Sequence, residues 1–156
     1  MSNTIGKINY GRVISGGIVA GVISGFLDWF VNGVLMGQMW EDAMKSLNRS
    51  NALSGAFLPY LFLTFILGGI LLVWVYAAIR PRFGAGLPTA VLAGLVVWAF
   101  AGLLPNVMNG VMGLYSPRLI FYSTLAGVIE IVVGAIAGAA LYNDAEPKPA
   151  ASAVTA

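Results

Sequence analysis

The chain has no cysteine and no histidine. Without thiols it can form no disulfide, thiolate zinc site, iron–sulfur centre or cysteine nucleophile. Without imidazole it can have no His-ligated haem and no Ser-His-Asp catalysis. Charge is almost as scarce, at 9% of 156 residues against 59% hydrophobic, where a soluble domain carries roughly a quarter. So few polar side chains cannot cover a small soluble core, and much of the surface must therefore meet lipid. Eight Lys+Arg against six Asp+Glu leave a net charge of +2. The pI of 9.1 reflects a shortage of acids rather than a basic patch, so nothing points to nucleic acid as a partner.

What is present is apolar sequence in long runs. Four stretches, about 13–36, 57–79, 87–104 and 119–142, are each long enough to cross about 30 Å of hydrocarbon at 1.5 Å per residue. Pro59 and Pro88 fall in first turns, where a missing N–H costs nothing. Ser116 before Pro117 reads as N-cap and first helical residue, and Pro105 is expected to stop the third helix. Arg80-Pro81-Arg82-Phe83-Gly84 reads as a polar turn joining spans two and three in an antiparallel hairpin. The first run is too long for a secretory signal and lacks a small-x-small cleavage site, so it is read as a retained helix. The expected fold is an all-α membrane protein, one four-helix bundle over residues 1–142 with a disordered cytoplasmic tail over 143–156.

Lys7, Arg12, Arg80, Arg82 and Lys148 lie at one end of the spans and Lys45, Arg49 and Arg118 at the other, which places both termini in the cytoplasm. Aromatics fall into two matching belts, Tyr10, Trp74, Tyr76 and Tyr142 against Trp29, Tyr60, Tyr115 and Tyr122, with Trp98 deep in its span. The connection after the first span carries Met39, Trp40, Ala43, Met44 and Leu47 on one helical face. Gln38, Glu41, Asp42, Lys45 and Asn48 form the other, with Glu41 and Lys45 spaced for an i,i+4 pair. It is either a short outer helix lying on the membrane or a cap over the outer mouth. Asn48-Arg49-Ser50 spells a glycosylation sequon by chance spacing.

The chain overlays on itself as a two-helix tandem repeat. Leu61-Phe62-Leu63-Thr64 matches Ile120-Phe121-Tyr122-Ser123, Ala20-Gly21-Val22-Ile23 matches Ala93-Gly94-Leu95-Val96, and Asn32-Gly33-Val34 matches Asn109-Gly110-Val111. Two crossings per unit make the repeat parallel, about an axis along the membrane normal.

Small-residue stripes mark close helix packing: Gly17, Gly21 and Gly25 in the first span, Gly94 and Gly102 with Trp98 in the third, and Gly134 and Gly138 in the fourth. Glu130 shares the face of Gly127 and Gly134, so it is expected to point into protein near the bilayer centre. No Lys or Arg lies at that depth, and the acid there must be neutral, hydrated or bound to a cation. Ser24, Asp28 and Asn32 form a polar stripe, and Asn106 and Asn109 could join it at the outer mouth. Two readings follow: a proton or cation path through Asp28 to Glu130, or two acids hydrogen-bonded as packing elements. Met36, Met39, Met108 and Met112 have spacings that could suit Cu(I), but methionine is also a common filler of irregular contacts, and no metal or other cofactor is expected.

The stretch Leu35-Met36-Gly37-Gln38-Met39-Trp40-Glu41-Asp42-Ala43-Met44, with the junction Tyr76-Ala77-Ala78-Ile79-Arg80-Pro81-Arg82, resembles small uncharacterised four-helix proteins of bacteria, grouped as a domain of unknown function. The resemblance implies a bacterial inner-membrane location and supplies no activity. With two carboxylates as the only acid–base groups at membrane depth, the chain reads as non-enzymatic. The expected role is a structural or accessory subunit, with a small proton- or cation-coupled transporter as the alternative. The expected partners are the bilayer and a second copy or another membrane protein.

Overall fold

The computed structural model describes residues 7–49 and 55–142. The 143–156 tail, Lys148 and the Ser50 of the sequon lie outside the described residues. Among the described residues every regular element is helical. Four helices among the described residues are long and apolar enough to cross a membrane: Tyr10–Leu35, Leu58–Phe83, Leu87–Val111 and Pro117–Ala140.

The first span is α1, Tyr10–Asp28, continued by a π-helical segment over Trp29–Leu35. Asn9 caps its start, accepting from the Arg12 amide at 3.2 Å. A ten-residue helix, α2, covers Gly37–Ser46, and a short 3₁₀ turn at Gly55–Phe57 leads into α3, Leu58–Phe83. The third span is α4, Leu87–Trp98, then a π-helical segment over Ala99–Leu103, then α5, Leu104–Val111. The last is α6, Pro117–Ala140, where Ser116 Oγ accepts from the Leu119 amide at 3.3 Å with Pro117 behind it.

Two prolines act differently from their sequence reading. Pro105 does not stop the third helix but begins α5, which runs on to Val111. A helical proline lacks an N–H and its ring crowds the carbonyl four residues back. The π-helical segment before it opens the spiral and relieves both demands. Pro81 is likewise inside α3, which extends through Arg80, Arg82 and Phe83. The turn therefore starts only at Gly84 (φ 84°) and closes at Gly86 (φ 122°), conformations that glycine adopts freely. Thr89 Oγ1 donates to the Gly84 carbonyl at 2.7 Å and holds this tight hairpin.

Packing follows glycine. α1 contacts α3 and α6, and α4 contacts the same two helices, with α3 also touching α6 across the middle. On α1 a Cβ added at Gly17 would collide with Ile70, and one at Gly21 with the Phe65 carbonyl. One at Gly69 of α3 would strike the backbone of Gly17 and Gly21. Backbone meets backbone here, as small-residue stripes allow.

The end carrying both described chain ends is tied by two buried tyrosines. Tyr76 and Tyr142, each 3% exposed, meet edge to face at 5.9 Å. Tyr76 Oη accepts from the Gly86 amide and Tyr142 Oη from the Asn9 amide, both at 3.2 Å. These two tyrosines are thus core residues rather than members of a lipid-facing belt, because their hydroxyls satisfy backbone donors at helix ends. Tyr10 and Trp74 of the same expected belt are exposed.

At the opposite end, Met39, Trp40, Ala43 and Met44 of α2 are half-buried, while Gln38, Glu41, Asp42 and Lys45 are exposed. Lys45 and Glu41 pair at 3.4 Å. Asn48 falls beyond the helix, in the left-handed region at φ 55°.

Candidate functional site

The seam between α1 and α6 sets the site. Its first half is closed by residues that meet in a strict antiparallel register: Gly16 with Gly138, Ala20 with Gly134, and Ser24 with Glu130. A Cβ on Gly16 would lie 2.7 Å from the Gly138 carbonyl oxygen, and one on Gly138 would lie 2.8 Å from that of Gly16. At Gly134 an added Cβ would collide with Ser24 Oγ. Ser24 Oγ donates to the Glu130 backbone carbonyl at 3.0 Å in a buried contact. Serine fits because its hydroxyl is small enough for the seam and can bond across it.

One turn further on, the seam opens. Asp28 would be the next residue of the stripe, and at Trp29 the first span becomes π-helical, as the Met36 amide bonding back to the Val31 carbonyl at 2.8 Å illustrates. The wider spiral carries larger side chains, and the two helices no longer touch by backbone. A groove of about 300 Å³ results, lined from the first span by Leu27, Val31, Leu35 and Met36, and from α6 by Tyr122, Leu125, Ala126, Ile129 and Glu130. Its rim residues Leu35, Leu125 and Ile129 are exposed on the sides of the spans, so the groove faces the surface that lipid would occupy.

Glu130 is one of the residues lining this wall. It is 5% exposed, and its Oε1 is buried with no hydrogen-bond partner among the described residues. Ser24 engages the backbone of Glu130, not its carboxyl. Asp28 is near enough for the two carboxyl groups to interact electrostatically. Asp28 itself accepts from Asn32 Nδ2 at 2.9 Å, and Asn32 Oδ1 accepts from Trp40 Nε1 at 3.1 Å. Trp40 also packs edge-on against Tyr115 at 5.4 Å. A hydrogen-bonded chain therefore runs from Asp28 to α2, which is held both to the first span and to the approach to the last.

The structure gathers Ser24, Asp28, Asn32 and Glu130 along one seam. Asn106 lies elsewhere, with Nδ2 2.9 Å from Thr124 Oγ1 and 3.4 Å from Ser123 Oγ. It ties α5 to α6, because α5 continues past Pro105. Gly25 packs against the Phe65 ring, Gly94 against Val132 and Ala135 of α6, and Gly134 and Gly138 against α1. Gly102 differs: its bare face accommodates the Trp98 indole of its own helix, 2.9 Å from an added Cβ, so it makes room for a ring and not for a neighbouring backbone. That indole donates from Nε1 to the Thr124 carbonyl at 3.1 Å. Met36 is buried at the groove, Met39 is half-buried on α2, and Met108 and Met112 are exposed on and just beyond α5.

Trp40 reads from sequence only as part of an apolar face and Tyr122 only as part of a belt, whereas one anchors α2 to the stripe and the other walls the groove. The available signal was spacing, since Trp40 lies two turns after Asn32 and Tyr122 two turns before Glu130. No protein-family model, curated protein or solved structure matches the chain.

Proposed function

We propose that this chain is a non-enzymatic multi-pass protein of a bacterial inner membrane, with both termini cytoplasmic, acting as a structural or accessory subunit whose working surface is the α1–α6 groove. One observation carries the reading: Glu130, which lines the apolar groove beside the closed half of the seam, is buried and holds an oxygen with no hydrogen-bond partner among the described residues. A closed seam of backbone contacts suits holding a partner within the membrane better than passing a solute across it, since a route through would have to part Gly16 from Gly138. The two-helix repeat is part of this proposal. Its support is that the first and third spans each carry a π-helical segment, Trp29–Leu35 and Ala99–Leu103.

The second reading, a small proton- or cation-coupled transporter, is favoured by Asp28 and Glu130 lying within electrostatic reach of each other on one seam. Proton flux into proteoliposomes separates the two. The accessory role requires no flux above empty vesicles, whereas flux lost in Glu130→Gln would establish the transporter.

A further inference from the structure

We infer that the α1–α6 groove is a phospholipid seat, in which one acyl chain lies between the first span and α6 and the phosphate meets Arg118 at the α2 end. The inference rests on reading the groove as a holding surface and adds the chemistry of what it holds. Ser24 meets Glu130 where the seam is closed, and the lining extends from there to Met36 on the first span and Tyr122 on α6. Tyr122 and Glu130 are eight residues apart on one helix, about 12 Å, close to the roughly 15 Å of hydrocarbon in one leaflet. Spread over that length, about 300 Å³ leaves a channel about 5 Å across, against about 10–12 Å for an α-helix. A helix of another protein or of a second copy could dip only single side chains into it, whereas one extended hydrocarbon chain fits it from end to end.

The surface open inside the channel is almost wholly apolar, and the unpartnered Glu130 oxygen is itself buried. A charged or hydrogen-bonding group would lose its water there without gaining a partner. Polarity is found instead at the mouth. Arg118, exposed in the first turn of α6, holds its guanidinium over the Tyr122 ring at 5.8 Å and forms no ion pair among the described residues. Twelve residues separate it from Glu130, about 18 Å, which puts the cation just beyond a chain lying in the channel, at the level where headgroups begin. An alkane or a sterol would leave the guanidinium unused, and a free phosphate would leave the channel to other lipid. A phospholipid satisfies both at once, and the exposed sides of Leu125 and Ile129 let its chain enter directly from the bilayer.

Phosphatidic acid and diacylglycerol carrying the same mid-chain diazirine, each at trace level in phosphatidylcholine nanodiscs holding the full chain, test the seat. Tandem mass spectrometry assigns the cross-links. Because Ser24 faces Glu130 and Gly21 faces Phe65, Phe62 on α3 lies close to the depth of Ile129. It is exposed outside the groove and serves as the reference for ordinary lipid contact. The ratio of Ile129 to Phe62 labelling should be about five for phosphatidic acid and near one for diacylglycerol, the difference that one interfacial cation makes to an anionic headgroup. Arg118→Gln should bring the phosphatidic acid ratio down to that of diacylglycerol. Val31→Trp, which fills the channel and leaves the cation in place, should bring it near one. A ratio near one for phosphatidic acid in the unaltered chain overturns the inference, as does an excess that survives either substitution. Should Val31→Trp fail to fold, Arg118→Gln, which alters an exposed side chain, still decides. Proton flux into proteoliposomes would overturn the accessory role and leave the seat standing; a ratio near one without flux would do the reverse.

Discussion

Ser24 donates its hydroxyl to the backbone carbonyl of Glu130 across 3.0 Å of buried seam. The bond fixes the last span against the first at the level of the acid, yet spends none of the carboxyl's own hydrogen-bonding capacity. Ser24→Ala should therefore lower stability by about 0.5–1 kcal/mol, the usual worth of one such bond between membrane helices. Thermal unfolding in mild detergent measures it, and an unchanged midpoint would mean that the contact contributes nothing.

Glycine substitutions should divide by what a side chain would meet. Gly21→Leu and Gly138→Leu push into neighbouring backbone and should cost about 1–3 kcal/mol or more. Gly68→Leu meets nothing within 4 Å and should be neutral or raise stability by a few tenths of a kcal/mol through helix propensity. Equal melting of all three variants would show that the helices are not packed on these stripes.

Trp40 holds α2 by one hydrogen bond to Asn32 and one edge contact with Tyr115. Trp40→Phe keeps an aromatic ring and loses the bond, about 1 kcal/mol. Amide hydrogen exchange over 37–46 should accelerate roughly fivefold, with α3 unaffected. Exchange at the original rate would place the anchorage of α2 elsewhere.

The proposed orientation has a direct check in cysteine labelling, since the chain has no native thiol. In intact cells Asn48→Cys should react with a membrane-impermeant maleimide and Ala85→Cys should not, because the Arg80/Arg82 end is assigned to the cytoplasm. The opposite pattern inverts the topology.

Much of the fold is readable from local chemistry. Ser116-Pro117 marks the start of α6 because a hydroxyl cap and an N–H-free residue are what a first turn accepts. The burial of Glu130 is readable from Gly127 and Gly134, which put it on a small-residue face. The π-helical segments are not readable, since no residue type commands a five-residue hydrogen bond, and with them went the expectation that Pro105 ends its helix. Gly16, Ala20 and Ser24 were legible in principle as a second stripe on α1. They were obscured by the all-glycine stripe one residue on, which faces α3. Asn106 could not be placed from sequence, because its partners on α6 depend on how far α5 continues.

The Tyr76–Tyr142 contact bears on mechanics. It joins the start of α1, the α3–α4 hairpin and the end of α6 at one point, whereas the far end of the first span is linked to the approach to α6 through the thinner chain of Asn32, Trp40 and Tyr115. The 24-residue α6 is about 36 Å long. Tilting it by about 5° around the tyrosine end moves its far end by about 3 Å, but moves Glu130, twelve residues from Tyr142, by only about 1.6 Å. A lever pivoted at the tyrosines would thus shift the Tyr122 end of the groove more than its Glu130 end.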